Sequence, residues 1–339
     1  MKNSFNTYVI VFFTLLLLQS CSKEKDVGLY SIYQLDKYKQ DRPLITLTDS
    51  WKKEVGLMAK FPKGIEVYRN ESNINNKTSN LYMVVLNPKL VDLKPVLSSS
   101  LKTPSAFFRD EGENVYACIN AGFFTSTTSL SLLGYNGVVS SANVKSLTRP
   151  LNGVNTTYYP TRAAFGLDNL FNPSVAWVYG VGTGVGVQYS YPQPSPNALN
   201  KTPQGIPTAL FPIGGDEWRQ RTVIGGSPML VKDSVINISD VEEMIEVDNT
   251  SSRPRSAIGY LKNGNVVLIA AEGGNPTGAP GLTLAELAKI MLEIGCIGAV
   301  NLDGGGSSSL VIDGYTTIRP SNASAAERAV VSALIVKKR

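Results

Sequence analysis

The chain has 339 residues, with 32 Lys and Arg against 27 Asp and Glu, three cysteines and no histidine. A net charge of +5 without a basic cluster does not fit a nucleic-acid surface. The missing histidine excludes Ser-His-Asp and Cys-His nucleophilic sites and His-bound zinc or iron. Acid–base chemistry must then use Asp, Glu, Lys, Tyr or water. No cofactor is called for, and the composition leaves room only for an oxygen-bound metal such as a structural Ca²⁺.

Residues 1–20 carry one charge, Lys2, and an apolar core from Tyr8 to Leu18. That is too short to span a bilayer as a helix, and it has the form of a secretory signal. The segment ends Leu18-Gln19-Ser20-Cys21, which resembles a bacterial lipobox. The resemblance implies cleavage before Cys21 and lipid on its thiol. It also implies an exported chain held at the cell envelope, in the outer membrane, through that lipid alone. The charged tract Ser22–Asp26 reads as a tether and resembles the export signal of surface lipoproteins. With Cys21 acylated, Cys118 and Cys296 remain. They could pair as a disulfide or stay as two buried thiols.

At 43% hydrophobic residues, the rest of the chain can bury a large core in one big domain or a large and a small one. Residues 21–110 read as a tether and a flanking subdomain. Strands are expected at Gly64–Tyr68 and Leu81–Leu86, either added to the main sheet or set apart, and no chemistry is evident. Val115–Ile119 is a strand that runs into Asn120 and then Gly122. An Asn there either bonds its own turn or faces a ligand.

Residues 125–222 are polar and rich in glycine and proline, with strands at Ala163–Leu167 and Val175–Tyr179. The aromatic stretch Tyr189–Pro212 is long enough to be functional; its rings could stack on a sugar or cover the core. Val223–Val231 is a strand bent at Gly225-Gly226, which suggests close backbone approach. An Asn263-Gly264 turn makes a hairpin of Tyr260–Ala270 and sets Arg255 and Glu272 on adjoining strand ends.

Thr283 to Glu286 is a capping box. Leu284, Leu287, Ala288, Met291 and Leu292 follow at helical spacing, and Gly295 ends the helix. The chain then enters the strand Cys296–Val300 and the loop Asp303, Gly304, Gly305, Gly306, Ser307. Three glycines permit positive φ and close approach of a ligand, although a plain hairpin turn with solvated serines has the same composition.

These pieces together resemble a known family. Asn120 to Phe124, Gly225 to Pro228, Arg255 to Gly259, Glu272-Gly273 and Asn301 to Ser307 stand in the order seen in the phosphodiester glycosidase family. The resemblance covers roughly residues 110–338, with Ala121 where many members have Gly. It makes 111–339 the catalytic domain and implies hydrolysis of the bond between a sugar's anomeric carbon and phosphate in a glycosyl phosphodiester. Arg255 would offer a planar fork to the phosphate. The N–H groups of Gly304, Gly305 and Gly306 would add anion contacts, and Asn120 and Ser307 would hold sugar hydroxyls or phosphate oxygens.

The leaving phosphate needs little protonation, because its second pKa is about 6. The chemistry therefore asks chiefly for a carboxylate, and Asp303 and Glu272 are the candidates. The expected fold is α+β, a mixed and mostly antiparallel sheet with a few packed helices. Two other readings use the same residues: a non-catalytic envelope lipoprotein that binds sugar phosphates or glycans, and a structural envelope protein whose glycine loops are only turns.

Overall fold

The computed structural model describes residues 42–275, 277–322 and 324–339; the signal segment, Cys21 and the Ser22–Asp26 tract lie outside them. Residues Leu44–Arg339 form one compact unit. Its strands make three larger sheets and two hairpins, and every strand pairing among the described residues is antiparallel. Among the same residues the α-helices are Pro104–Asp110 and Leu284–Glu293. The fold is thus sheet-dominated, and the expected α+β class with a mixed sheet fits it only loosely. Tight turns and short loops connect several of the neighbouring strands, and such connections return the chain antiparallel.

The eight-stranded sheet runs, in spatial order, Trp51–Lys53, Ile65–Asn70, Leu81–Leu86, Val266–Ala271, Arg255–Leu261, Cys296–Asn301, Met229–Lys232 and Val235–Ile236. Residues 51–86 therefore supply three strands to the sheet that carries Arg255. The central strands read as unbroken apolar runs because both faces are covered. Along Val266–Ala271, Val266, Leu268 and Ala270 join a central core, while Val267, Ile269 and Ala271 pack on the opposite side. That opposite side is closed by Leu284, Leu287, Ala288 and Met291 of the second helix.

The central core lies where the three sheets meet. The seven-stranded sheet brings Phe165, Trp177 and Ile224, and the five-stranded sheet brings Ile119, Leu310 and Leu334. Cys118 and Cys296 sit in different sheets and different apolar clusters, and both are free. Burial pushes both thiols well up from the usual range, so neither is a ready nucleophile.

Local signals in the sequence appear where they were expected. The Thr283 hydroxyl accepts from Glu286 N–H at 3.1 Å, and the Glu286 carboxylate accepts from Thr283 N–H at 2.9 Å. Gly264, at φ +85°, turns the hairpin that pairs Tyr260 with Val266. At Gly226 a side chain would run into the Asn301 carbonyl. The bend is clamped there: Ser227 N–H donates to that carbonyl at 2.9 Å, and the Asn301 amide donates back to the Ser227 carbonyl at 2.8 Å. In the aromatic stretch, Tyr191 is buried and its hydroxyl donates to the Thr208 carbonyl at 2.8 Å, so this ring covers the core.

Candidate active site

Three neighbouring strands of the eight-stranded sheet end side by side. Glu272 follows Val266–Ala271, Pro254 precedes Arg255–Leu261, and Leu302 and Asp303 follow Cys296–Asn301. Pairing fixes their level, with Arg255 opposite Ala271 and Ala257 opposite Asn301. The two carboxylate-bearing backbones flank one shared strand, so they lie about 10 Å apart, two interstrand spacings.

Asp303 is held from several sides. Its N–H donates to the Ala121 carbonyl at 3.1 Å, and its own carbonyl accepts from the Asn120 amide at 2.7 Å. Its carboxylate accepts from Gly304 N–H at 2.9 Å and from the Ser307 hydroxyl. Burial pushes the Asp303 carboxyl above the ordinary range; the Ser307 and Gly304 donors and the Arg328 charge oppose the shift without cancelling it. Glu272 is also largely buried. Its carboxylate accepts from the Asn80 amide at 2.8 Å and from Arg319 N–H at 3.1 Å, with a longer contact to Asn275 at 3.5 Å.

Two of the residues expected to touch substrate make their hydrogen bonds inside the protein. Arg255 is 4% exposed, and its guanidinium donates to the carbonyls of Leu282 at 2.9 Å, Ser251 at 3.2 Å and Asp248. Burial lowers its pKa to about 10, which leaves it charged at neutral pH. Only Nη1 has no bond among the described residues, so Arg255 cannot present a two-pronged fork to phosphate. It braces the 248–254 segment against Leu282.

Asn120 is 1% exposed and uses its whole amide. Nδ2 donates to the carbonyls of Asp303 and Ala121, while Oδ1 accepts from the Ser256 hydroxyl at 2.8 Å and from Ser309 N–H at 3.2 Å. It has no capacity left for substrate.

The glycine loop is likewise mostly self-satisfied. Gly304 N–H is used by Asp303, and Gly305 N–H donates to the Pro254 carbonyl at 2.9 Å. Gly306 N–H alone of the three has no partner among the described residues, so the expected three-fold nest is reduced to one donor. Gly305 takes φ +57° and opens the short 3₁₀ turn Gly305–Ser307. Ser307 is buried, with its hydroxyl on Asp303.

The cation that does face Asp303 is Arg328, which the sequence reading missed. It is exposed, lies 5.4 Å from the centre of the Phe124 ring, and reaches the Ser307 hydroxyl at 3.4 Å. The absence of a side chain at Gly306 leaves room for the Arg328 stem, whose Cδ would stand 3.4 Å from a Cβ there. Its neighbour Glu327 accepts from the Ser309 hydroxyl, tying the segment to the same loop. A Glu-Arg pair just before the buried strand Val330–Lys338 was the available signal, but no motif spacing marks it. Among the described residues no three Asp, Glu or Cys side chains converge as a metal donor set, so the structure assembles no carboxylate cage for the Ca²⁺ considered above.

The geometry defines an antiparallel β scaffold that presents a buried carboxylate of raised pKa beside an exposed arginine. The family model for phosphodiester glycosidases matches residues 181–337 of the chain. The human N-acetylglucosamine-1-phosphodiester alpha-N-acetylglucosaminidase is 36% identical over 95 residues, 26% of this chain and 18% of that protein. The SPbeta prophage-derived uncharacterized protein YomE of Bacillus subtilis is 34% identical over 107 residues, 32% of this chain and 16% of that one. The matches thus span under a fifth of the length of these two relatives.

In fold, the zebrafish catalytic domain of the same named enzyme, auto-inhibited by its pro-peptide, superposes with a TM-score of 0.54 at 16% identity. It covers 89% of this chain and 93% of its own. A hypothetical protein from Synechocystis also reaches 0.54, at 20% identity over 83% of this chain and 63% of its own.

Asn120→Ala leaves the Ser256 hydroxyl, the Ser309 N–H and the Asp303 carbonyl without their partner. Each buried orphan costs about 1–3 kcal/mol, so urea unfolding should show a loss of at least about 2 kcal/mol. A change within about 0.5 kcal/mol, ordinary for a surface site, would show the amide to be idle.

Proposed function

We propose that the chain hydrolyses the bond between an anomeric carbon and phosphate in glycosyl phosphodiesters. The observation that carries the proposal is the Asp303–Ser307–Arg328 arrangement: a desolvated carboxylate with an exposed cation at its edge. In the proposed complex Arg328 and the free Gly306 N–H bind the phosphodiester anion, the role first expected of Arg255. Asn120 holds the Asp303 carbonyl, and Arg255 braces the 248–254 segment, whose Pro254 carbonyl takes the Gly305 N–H.

Asp303 in its ionised form takes a proton from water as the water oxygen bonds to the anomeric carbon, or attacks that carbon itself to give a glycosyl ester, which water then cleaves at the same carbon to release the carboxylate. The C–O bond to phosphorus breaks with its electron pair going to the phosphate oxygen. The carboxylate offsets the positive charge that develops on the sugar. The departing phosphate monoester is stable as an anion, so no strong acid is required. Glu272, braced by Asn80 and Arg319, is suited to a sugar hydroxyl or to the second carboxylate role. The names of the mammalian relatives supply the first substrate to try, an N-acetylglucosamine 1-phosphodiester.

We further propose, on the sequence around Cys21, export and lipid attachment at the bacterial cell envelope. Cys21→Ser should move the protein from the membrane to the soluble fraction of the cell. An unchanged distribution would remove the lipid anchor.

Arg328→Gln tests the phosphate role. Loss of a charged hydrogen bond, about 1.5–3 kcal/mol, should lower kcat/KM for the phosphodiester by roughly 10–100-fold. An aryl glycoside, with no phosphate, should change less than about threefold. Equal loss on both substrates would dismiss the role. Activity should rise with pH through the raised pKa of Asp303, because the ionised form is the active one. Removing the Arg328 charge, which pulls that pKa down, should move this acid limb to higher pH.

Asp303→Asn should lower turnover by at least about 10²-fold. A carboxyl whose folded pKa is raised contributes most below its unfolded value and loses that contribution as pH rises through the folded one. The neutral amide escapes that loss, so the variant should melt no lower than the parent at pH 7. Near-normal turnover would transfer the catalytic role to Glu272, and a lower melting temperature would make Asp303 a structural anchor of its loop.

A further inference from the structure

A cavity of about 760 Å³ lies under the second helix, away from Asp303 and Arg328. Its volume is in the range of small-molecule sites, about 300–1,000 Å³. Trp51, Ile74 and Ile290 supply apolar walls, and Asn70, Ser72 and Asn73 supply neutral polar groups. We infer that it is a binding site for a neutral oligosaccharide.

The charge inventory carries the choice of ligand. Glu286 is already engaged by Lys77 at 2.6 Å, by the Asn75 amide at 2.7 Å and by Thr283 N–H at 2.9 Å. Lys289 and Glu293 face each other at 3.7 Å. The lining charges therefore cancel locally, and an ionic ligand would find no unmatched partner. What remains is an indole and aliphatic wall beside hydroxyls and amides. The Trp51 ring nitrogen and the Asn73 amide make no hydrogen bond among the described residues. A molecule with an apolar face and a rim of hydroxyls matches both halves, and a pyranose ring is such a molecule.

The loop that forms the polar wall is pre-shaped. Asn75 and Asn76 hold φ of +47° and +61°, left-handed conformations that cost energy without support. The supports are Asn75 on Glu286 and Lys77 on both Glu286 and Ser252. Order already present in the free protein lowers the entropy cost of binding. The same loop ends at Asn80, whose amide donates to the Glu272 carboxylate at 2.8 Å. A glycan in the cavity would thus rest on the segment that orients a carboxylate of the candidate active site. The inference does not depend on the hydrolytic reading.

Calorimetric titration of the full chain with chitotriose and maltotriose, and with glucose 1-phosphate as a charged comparison, tests it. At least one trisaccharide should bind saturably and more tightly than the sugar phosphate in an Asp303→Asn background. Asn73→Ala, on an exposed loop, should weaken that binding about fivefold, the scale of one hydrogen bond. Trp51→Ala should weaken it more. Absence of saturable binding by either trisaccharide up to 10 mM, an arbitrary ceiling of about the weakest useful affinity, would overturn the inference. So would binding that a folded Asn73→Ala leaves unchanged, or binding that Asp303→Asn abolishes.

Discussion

The site depends on the buried amide of Asn120. It is one side chain at the end of one strand, yet it joins the five-stranded sheet, the Arg255 strand through Ser256, and the loop from Asp303 to Ser309. An amide suits this task because it offers two donors and two acceptors in one plane. In a dry environment each of those bonds is costly to lose. The carbonyl of Asp303 is one of the groups it holds, so the position of the carboxylate follows from the meeting of two sheets and not from the loop alone.

The charges are sorted by depth. Arg255 is deep and braces backbone carbonyls, and Arg328 is at the surface where an anion can reach it. Asp303 stands between, desolvated enough to have a raised pKa and close enough to Arg328 to feel its charge. A carboxylate that must meet a positively charged transition state gains from low dielectric. An arginine that must read phosphate gains from access. In the proposed mechanism, one strand end and one short segment before Val330 would meet both demands.

Much of the scaffold was legible in the sequence. Capping signals marked the second helix, the Asn263-Gly264 pair marked its hairpin, and the Gly225-Gly226 bend announced the close approach now seen at Asn301. Those signals are local and have local causes. The strand-end placement of Glu272 and Asp303 was also readable, because each follows an apolar run and precedes glycines.

The depth of a side chain was not readable. Arg255 and Asn120 look like ligand-facing groups in a motif, and only the packing of three sheets shows that their bonds are used internally. Arg328 is the reverse case, an unremarked residue brought over Gly306 and Phe124 by a chain segment distant in sequence. The balance of strand over helix was underestimated because several short strands of two to four residues carry no periodic signal of their own.

The central claim is that water attacks carbon and leaves phosphorus untouched. Hydrolysis of an N-acetylglucosamine 1-phosphodiester in ¹⁸O-labelled water, followed by ³¹P NMR of the released phosphate monoester, tests it directly. Cleavage at the anomeric carbon leaves the phosphate monoester free of ¹⁸O. An ¹⁸O-shifted phosphorus signal would mean attack at phosphorus, and would contradict a mechanism in which Asp303 serves the sugar while Arg328 holds the departing phosphate.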